Sequence, residues 1–240
     1  MKQILAITSA VLITLSSCDE FMGDRIHGNG NVVSENRSVS GFKGVEVSGG
    51  LKIYVKQDSV TSVKVEVDKN LQEYIITEVE DGILKIYQEH NTSLESTKGI
   101  RIYVSSPSYK SFEASGATEI NGENKIQQAD EIHLYASGAS KIDLDIKAPK
   151  ISSEISGASS LKLAGETKDF FLDANGASHA KCFDLMTENV DADLSGASSA
   201  TVFASVKITG EASGASHLVY KGNATTSLNT SGAGSVRKEN

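Results

Sequence analysis

The 240-residue chain has no Trp, only two Pro and only two Cys, Cys18 and Cys182. A disulfide framework is therefore excluded, and stability must come from a packed core. Basic residues are in deficit, with 23 Lys and Arg against 31 Asp and Glu. Such a chain is not a binder of nucleic acid or another polyanion. Beyond the first seventeen residues no stretch is apolar enough for a membrane span, which needs about 20 residues. The five histidines, His27, His90, His133, His179 and His217, contain no pair at zinc-ligand spacing. The G-x-S-x-G elbow, the phosphate loop and the calcium nonapeptide are missing as well.

What is present begins with a secretory signal. Lys2 is followed by an uncharged apolar run from Ile4 to Leu15, then by Ser16, Ser17 and Cys18. That order of charge, apolar core and small residues marks residues 1–17 as cleaved on export. Leu15-Ser16-Ser17-Cys18 resembles a lipobox, which implies a lipidated Cys18 as the new N-terminus and a membrane anchor through acyl chains. Cleavage removes Lys2 alone, leaving 22 basic and 31 acidic residues and a net charge of −9. Asp19-Glu20 directly after Cys18 resembles the acidic tag of surface-exported lipoproteins.

The main signal is a repeat. Ser-Gly-Ala-Ser or a close variant recurs seven times, with glycines at 116, 138, 157, 176, 196, 214 and 232. A spacing of 18 to 22 residues suits one coil of a β-solenoid and is too short for helical-pair or blade repeats. Four residues after each glycine stand Ile120, Ile142, Leu161, Ala180, Ala200, Leu218 and Val236, all apolar. Six after lie Leu144, Leu163, Cys182, Val202 and Tyr220, and two before lie Ala114, Ala136, Ile155, Ala174, Leu194 and Ala212. Alternation of this kind places a strand on each side of the corner with one face inward. Cys182 then reads as a small buried hydrophobe. Glycine suits a corner that demands positive φ, and the flanking Ser or Asn are expected to bond coil to coil as a side-chain ladder.

The fold class expected is all-β: a parallel β-helix, right-handed, with a less regular N-terminal region. Residues 18–40 read as a lipid-anchored linker and first edge strand, 41–110 as the irregular β region and 111–240 as the regular repeat. Val45, Val47, Gly49, Ile53 and Val55 form a distant eighth copy of the motif. The 67 residues from Gly49 to Gly116 leave room for a few further coils. Asp81-Gly82 signals a hairpin between Glu73–Val79 and Ile83–Gln88, which could cap the stack, and Asp68–Tyr74 a helical turn.

Three residues before each glycine stand Glu46, Glu113, Tyr135, Glu154, Asp173, Asp193, Glu211 and Asn229. By parity this column faces outward, with neighbours about 4.8 Å apart, so adjacent carboxylates repel by roughly 0.9 kcal/mol in bulk water. Lysines on neighbouring strands, a weakly held calcium ion or a cationic partner could offset that. Five before the glycine stand His133, Ser152, Phe171 and Asp191. Phe171 points outward unless the strand bulges at Phe170-Phe171. The candidate binding face is therefore Tyr135, Glu154, Phe171, Asp173, Asp191, Asp193 and Glu211, a mixture of aromatic and acidic groups suited to sugar rings and their hydroxyls. His179 and His217 share an offset but lie two coils apart, about 9.6 Å, too far to grip one metal.

Gly28-Asn29-Gly30-Asn31-Val32-Val33, Ser40-Gly41-Phe42 and Val45-Glu46-Val47-Ser48-Gly49-Gly50-Leu51, together with the Ser-Gly-Ala-Ser series, resemble the head GIN domain family of auto-transporter adhesins. The resemblance covers nearly all of the mature chain and implies a β-helical lipoprotein of Gram-negative envelopes, without a catalytic motif. The function expected is a non-enzymatic outer-membrane lipoprotein, facing periplasm or cell surface, that presents an adhesive face to a glycan or other surface ligand. The alternative is a carbohydrate-active β-helix protein, a lyase or hydrolase, in which Asp191 with Asp193 or Asp173 supplies paired carboxylates.

Overall fold

The computed structural model describes residues 24–239. The signal segment and Cys18 lie outside the described residues. Two sheets meet at the Ser-Gly-Ala-Ser corner. The inbound sheet stacks Ser111–Ala114, Ile132–Ala136 and the later parts of Lys141–Ile155, Ser160–Ala174 and His179–Leu194, then Lys207–Ala212 and Thr225–Thr230, all parallel. The outbound sheet stacks Lys52–Gln57, Glu119–Gly122, the earlier parts of the three long strands, Ser199–Phe203, His217–Lys221 and Ser235–Lys238. The chain is a parallel β-solenoid.

The repeat offsets become columns because equal coil lengths bring equal offsets into register. Ile120, Ile142, Leu161, Ala180, Ala200, Leu218 and Val236 pair in that order. All but Val236 are at most 2% exposed. Cys182 pairs with Val202 inside the core, and burial pushes its thiol up to about 12, so it packs as a small apolar group. Inward parity changes between Ala148 and Ile151, at Pro149, where the coil bends a second time. One coil is a residue longer than the coil before it, and the ladder shifts register near Phe183 to absorb the excess.

The corner is held by backbone. The seven corner glycines, Gly116, Gly138, Gly157, Gly176, Gly196, Gly214 and Gly232, adopt φ between +65° and +76°. Each glycine carbonyl from Gly116 to Gly214 accepts the N–H of the alanine one coil on, at 2.7–2.8 Å. A Cβ on any corner glycine from Gly138 to Gly232 would stand 2.5–3.0 Å from the oxygen of the corner glycine beneath. The side-chain ladder expected at the flanking Ser or Asn is not what links the coils. The serine after the alanine is buried instead, and at three corners it bonds to main chain: Ser140 Oγ donates to the Ala114 carbonyl at 2.9 Å, Ser198 Oγ to that of Ala174 at 3.0 Å and Ser216 Oγ to that of Leu194 at 3.3 Å. Main-chain carbonyls are fixed at that height by the strands, whereas serine hydroxyls one coil apart meet only at Ser140 and Ser159, 3.4 Å, among the described residues.

The 66 residues between Gly49 and Gly116 do not form coils stacked between those corners. Gly44–Val47 pairs directly with Ser111–Ala114, and Lys52–Val55 with Glu119–Gly122. The intervening chain passes to the other side of this rung: Ile83–Ile86 pairs on Gly44–Val47, and Arg101–Ser106 on Lys52–Gln57. The reversal comes from the hairpin Ile75–Glu80 with Ile83–Gln88, whose turn residues Asp81 and Gly82 have φ of 51° and 76°. Ser62–Asp68 adds antiparallel to Arg101–Ser106 and to Val32–Arg37, while a 3-10 helix, Lys69–Tyr74, buries Leu71. Together they close the N-terminal end. A two-stranded ribbon, Asp24–His27 with Thr92–Glu95, forms a sheet of its own. At the other end part of the inward columns turns polar, with Thr226, Thr230 and Lys238 above Ile208, Ala212 and Tyr220, while Leu228 and Val236 still pack on the core. Such a rung can meet water.

Asp68 ties the cap together. Its buried carboxylate accepts from Gly30 N (2.8 Å), Ser96 Oγ (2.7 Å), Thr97 N (2.9 Å) and Thr97 Oγ1 (2.7 Å). Burial alone would raise its pKa, but these donors more than offset it and hold the carboxyl well below the usual range. Gly28 is required beside it, since a Cβ there would lie 2.4 Å from the carboxylate.

Two outcomes follow. Gly50 has φ +72° with open space around it, whereas Gly176 has φ +73° and a glycine oxygen 2.8 Å from its would-be Cβ. In urea melts Gly50→Ala should cost about 1 kcal/mol and Gly176→Ala more than about 2 kcal/mol; equal costs would mean that the stacked carbonyl is not the constraint. Asp68→Asn should destabilise by about 2 kcal/mol at pH 7, because buried donors lose acceptors. A depressed folded pKa stabilises above the unfolded value of about 3.9 and stops doing so as pH falls below it. The gap between variant and parent should therefore close in acid; a gap constant down to pH 2 would contradict the assignment.

Candidate binding wall

The outward columns of the inbound sheet stand where their offsets place them. Glu46, Glu113, Tyr135, Glu154, Asp173, Asp193, Glu211 and Asn229 pair in unbroken order across eight rungs. Beside them His133, Ser152, Phe171, Asp191 and Thr209 form the second column. Phe170 is 1% exposed and Phe171 41%. The ladder runs through both without interruption, so there is no bulge and Phe171 faces outward.

A third column, seven before each glycine, was readable from the same offsets and belongs to the wall: Glu131, Lys150, Asp169, Asn189 and Lys207. The Lys150 ammonium lies 4.8 Å from the Phe171 ring centroid and 3.0 Å from Glu131. The Ser152 hydroxyl, donating to Glu131 at 2.6 Å, and then Lys150 hold that carboxyl below its usual range despite partial burial. His133 and Tyr135 stack with centroids 6.4 Å apart and planes 8° apart. The middle of the wall is thus an aromatic and ion-paired patch, with Glu46 and Glu113 on one side of it and a line of carboxylates from Glu154 to Glu211 running through and beyond it.

Those carboxylates are not balanced by lysines. Among the described residues Glu154 and Asp173 have no hydrogen-bond or ion-pair partner. Asp193 accepts from the Glu211 amide (3.0 Å), Glu211 from Ser231 Oγ (3.1 Å) and Asp191 from Thr209 Oγ1 (2.9 Å). Nor is calcium supported. No group of three or more His, Cys, Asp or Glu among the described residues is arranged to hold a metal ion. One carboxylate per coil gives a row, whereas calcium needs six to eight converging oxygens. Lys150, Phe171, Asp173, Asp191 and Asp193 border an open depression of about 270 Å³. It is not the walled cleft that would seat a sugar chain between an acid and a base.

The fold is a β-solenoid whose inbound sheet carries a long, regular outward wall. The chain belongs to the family described as putative auto-transporter adhesin, head GIN domain, which it matches over residues 41–224. Among solved structures it is similar to a putative adhesin from Bacteroides fragilis, with 21% identity and a TM-score of 0.84 over 89% of this chain and 100% of that one. A putative lipid binding protein from Parabacteroides distasonis shares 21% identity, with a TM-score of 0.73 over 90% and 100%. A putative adhesin from Parabacteroides merdae shares 18%, with a TM-score of 0.69 over 91% and 100%. At these identities the likeness establishes the fold. No curated protein matches the chain.

Because the row carries unrelieved like charge, Asp173→Asn with Asp193→Asn should raise the melting temperature slightly, and millimolar calcium should shift neither parent nor variant. A calcium-dependent rise in the parent that the double variant abolishes would show a metal site.

Proposed function

We propose that the protein is a non-enzymatic envelope adhesin, anchored in the outer membrane through acyl chains on Cys18, whose inbound sheet presents its outward wall to glycans. The observation that carries this reading is the wall itself: three outward columns held in register over successive coils, with Tyr135 and Phe171 more than a third exposed beside carboxylates that have no partner. Exposed large apolar groups ringed by polar ones mark contact surfaces. Aromatic faces beside hydrogen-bond acceptors suit the apolar faces and hydroxyls of sugar rings. Adhesin family membership supports a role at the cell surface, and the lipobox-like Leu15-Ser16-Ser17-Cys18 supplies the anchor. The openness of the wall favours binding over hydrolysis or elimination, since an active site needs a shielded cleft.

The test compares cells carrying the parent, Cys18→Ala and the pair Tyr135→Ala with Phe171→Ala. Cys18→Ala should move the protein out of the detergent phase in a partition assay. The aromatic pair should stay anchored yet lower adherence to immobilised glycans by about tenfold or more, the usual result of truncating aromatic anchors. Unchanged partitioning would contradict the anchor. Unchanged adherence would contradict the wall.

A further inference from the structure

A second recess, of about 720 Å³, lies at the N-terminal end of the inbound sheet, between its outward face and the segment 89–94. It is as open as the depression on the wall, but its lining comes from two parts of the chain. Glu46, Ser48 and Tyr87 line it from the sheet, and His90, Asn91 and Ser93 from the segment. The segment is a fixed turn: Thr92 N and Oγ1 both bond to the Glu89 carbonyl, at 3.3 and 2.6 Å, and Asn91 takes a left-handed φ of 61°. Few non-glycine residues adopt that conformation. The Tyr87 and His90 rings lie 5.9 Å apart and tilted by 32°, and the Tyr87 hydroxyl donates to Glu78 at 2.8 Å, which sets the ring's orientation.

The polar groups here are largely unspent. Among the described residues the Glu46 carboxylate, the Ser48 hydroxyl and the Asn91 amide have no hydrogen-bond partner. Elsewhere at this end of the molecule such groups are consumed, as around Asp68 and Gln72. Charge narrows the choice of ligand. Glu46, Glu78 and Glu89 line the recess and Glu113 adjoins Glu46 on the next rung, against the single cation Lys85, which is paired with Glu80. An anion entering it would meet like charge.

We infer that this recess is a saccharide site selective for neutral or amino sugars over sialylated, uronic or sulfated ones. The Tyr87 and His90 rings form the apolar platform, and Glu46, Ser48 and Asn91 supply acceptors and donors to ring hydroxyls or an ammonium group. Raising the Glu113 carboxyl, through its desolvation and then the neighbouring Glu46, is a cost of gathering acids here that a bound ammonium or hydroxyl donor would relieve. The site shares no residue with the aromatic patch of the wall and does not depend on that patch binding anything.

The experiment is a glycan array carrying neutral, amino-sugar and acidic glycans. It is probed with the full chain in detergent bearing Tyr135→Ala and Phe171→Ala, so that the aromatic patch of the wall does not contribute. Neutral or amino-sugar glycans should be retained and acidic ones not. Adding Glu46→Gln or, separately, His90→Ala should lower the retained signal at least tenfold without lowering the melting temperature, and the exposed position of His90 guards against loss of fold. Absence of neutral and amino-sugar binding, preference for acidic glycans, or undiminished signal in His90→Ala would each overturn the assignment. Adherence lost through the wall variants but array binding unaffected by Glu46→Gln and His90→Ala would leave the wall standing and the recess refuted.

Discussion

The hydrogen bond from each corner alanine to the glycine carbonyl one coil beneath is what the rest of the molecule depends on. It is short, it recurs at every regular corner, and it exists only because glycine accepts φ near +70° and offers no Cβ to the oxygen below. Strand pairs on either side could slip by two residues and still bury apolar groups. The corner forbids the slip, because a displaced coil would set a side chain against that carbonyl. Every column, inward or outward, inherits its register from this contact, including the bulge near Phe183 that absorbs an extra residue without shifting the next corner.

That dependence explains which features could be read from the chain. Wherever glycine spacing held, offsets from it gave core positions, strand faces and the order of the outward wall, while the direction of Phe171 stayed open until the unbroken ladder set it outward. The third column with Glu131 and Lys150 lay in the same arithmetic, two residues further out. Contacts that do not repeat were not legible. Nothing local in residues 50–115 shows that Gly44–Val47 is inserted between Ile83–Gln88 and Ser111–Ala114, because that pairing is chosen by the hairpin reversal and by which core edge is left to cover. The serine ladder failed for a different reason. Both a hydroxyl and a main-chain carbonyl could satisfy Ser140, and only the height of the carbonyl in three dimensions decides between them. The recess beside Tyr87 and His90 joins the hairpin and the segment after it to the inserted strand at Glu46 and Ser48, so no sequence offset connects its two sides.

The two ends solve one problem in different ways. A solenoid core is exposed wherever stacking stops. At the N-terminal end antiparallel strands, a 3-10 helix and the Asp68 knot cover it. At the last rung Thr226, Thr230 and Lys238 replace apolar residues in part of the inward columns, while Leu228 and Val236 remain apolar. Between these ends the outward faces are free of core duties, and their side chains carry most of what distinguishes this chain as a surface: aromatics and ion pairs near Lys150, unpaired carboxylates beyond.

If the corner bond sets the register, it must open only when the whole stack opens. Amide hydrogen exchange of Ala139, Ala158, Ala177, Ala197 and Ala215 measures that directly. The account requires these corner amides to exchange through global unfolding, as slowly as amides of the buried strands. Exchange as fast as at the exposed turn of Ser59 and Val60 would show that the corners are passive links and that the strands alone hold the solenoid in register.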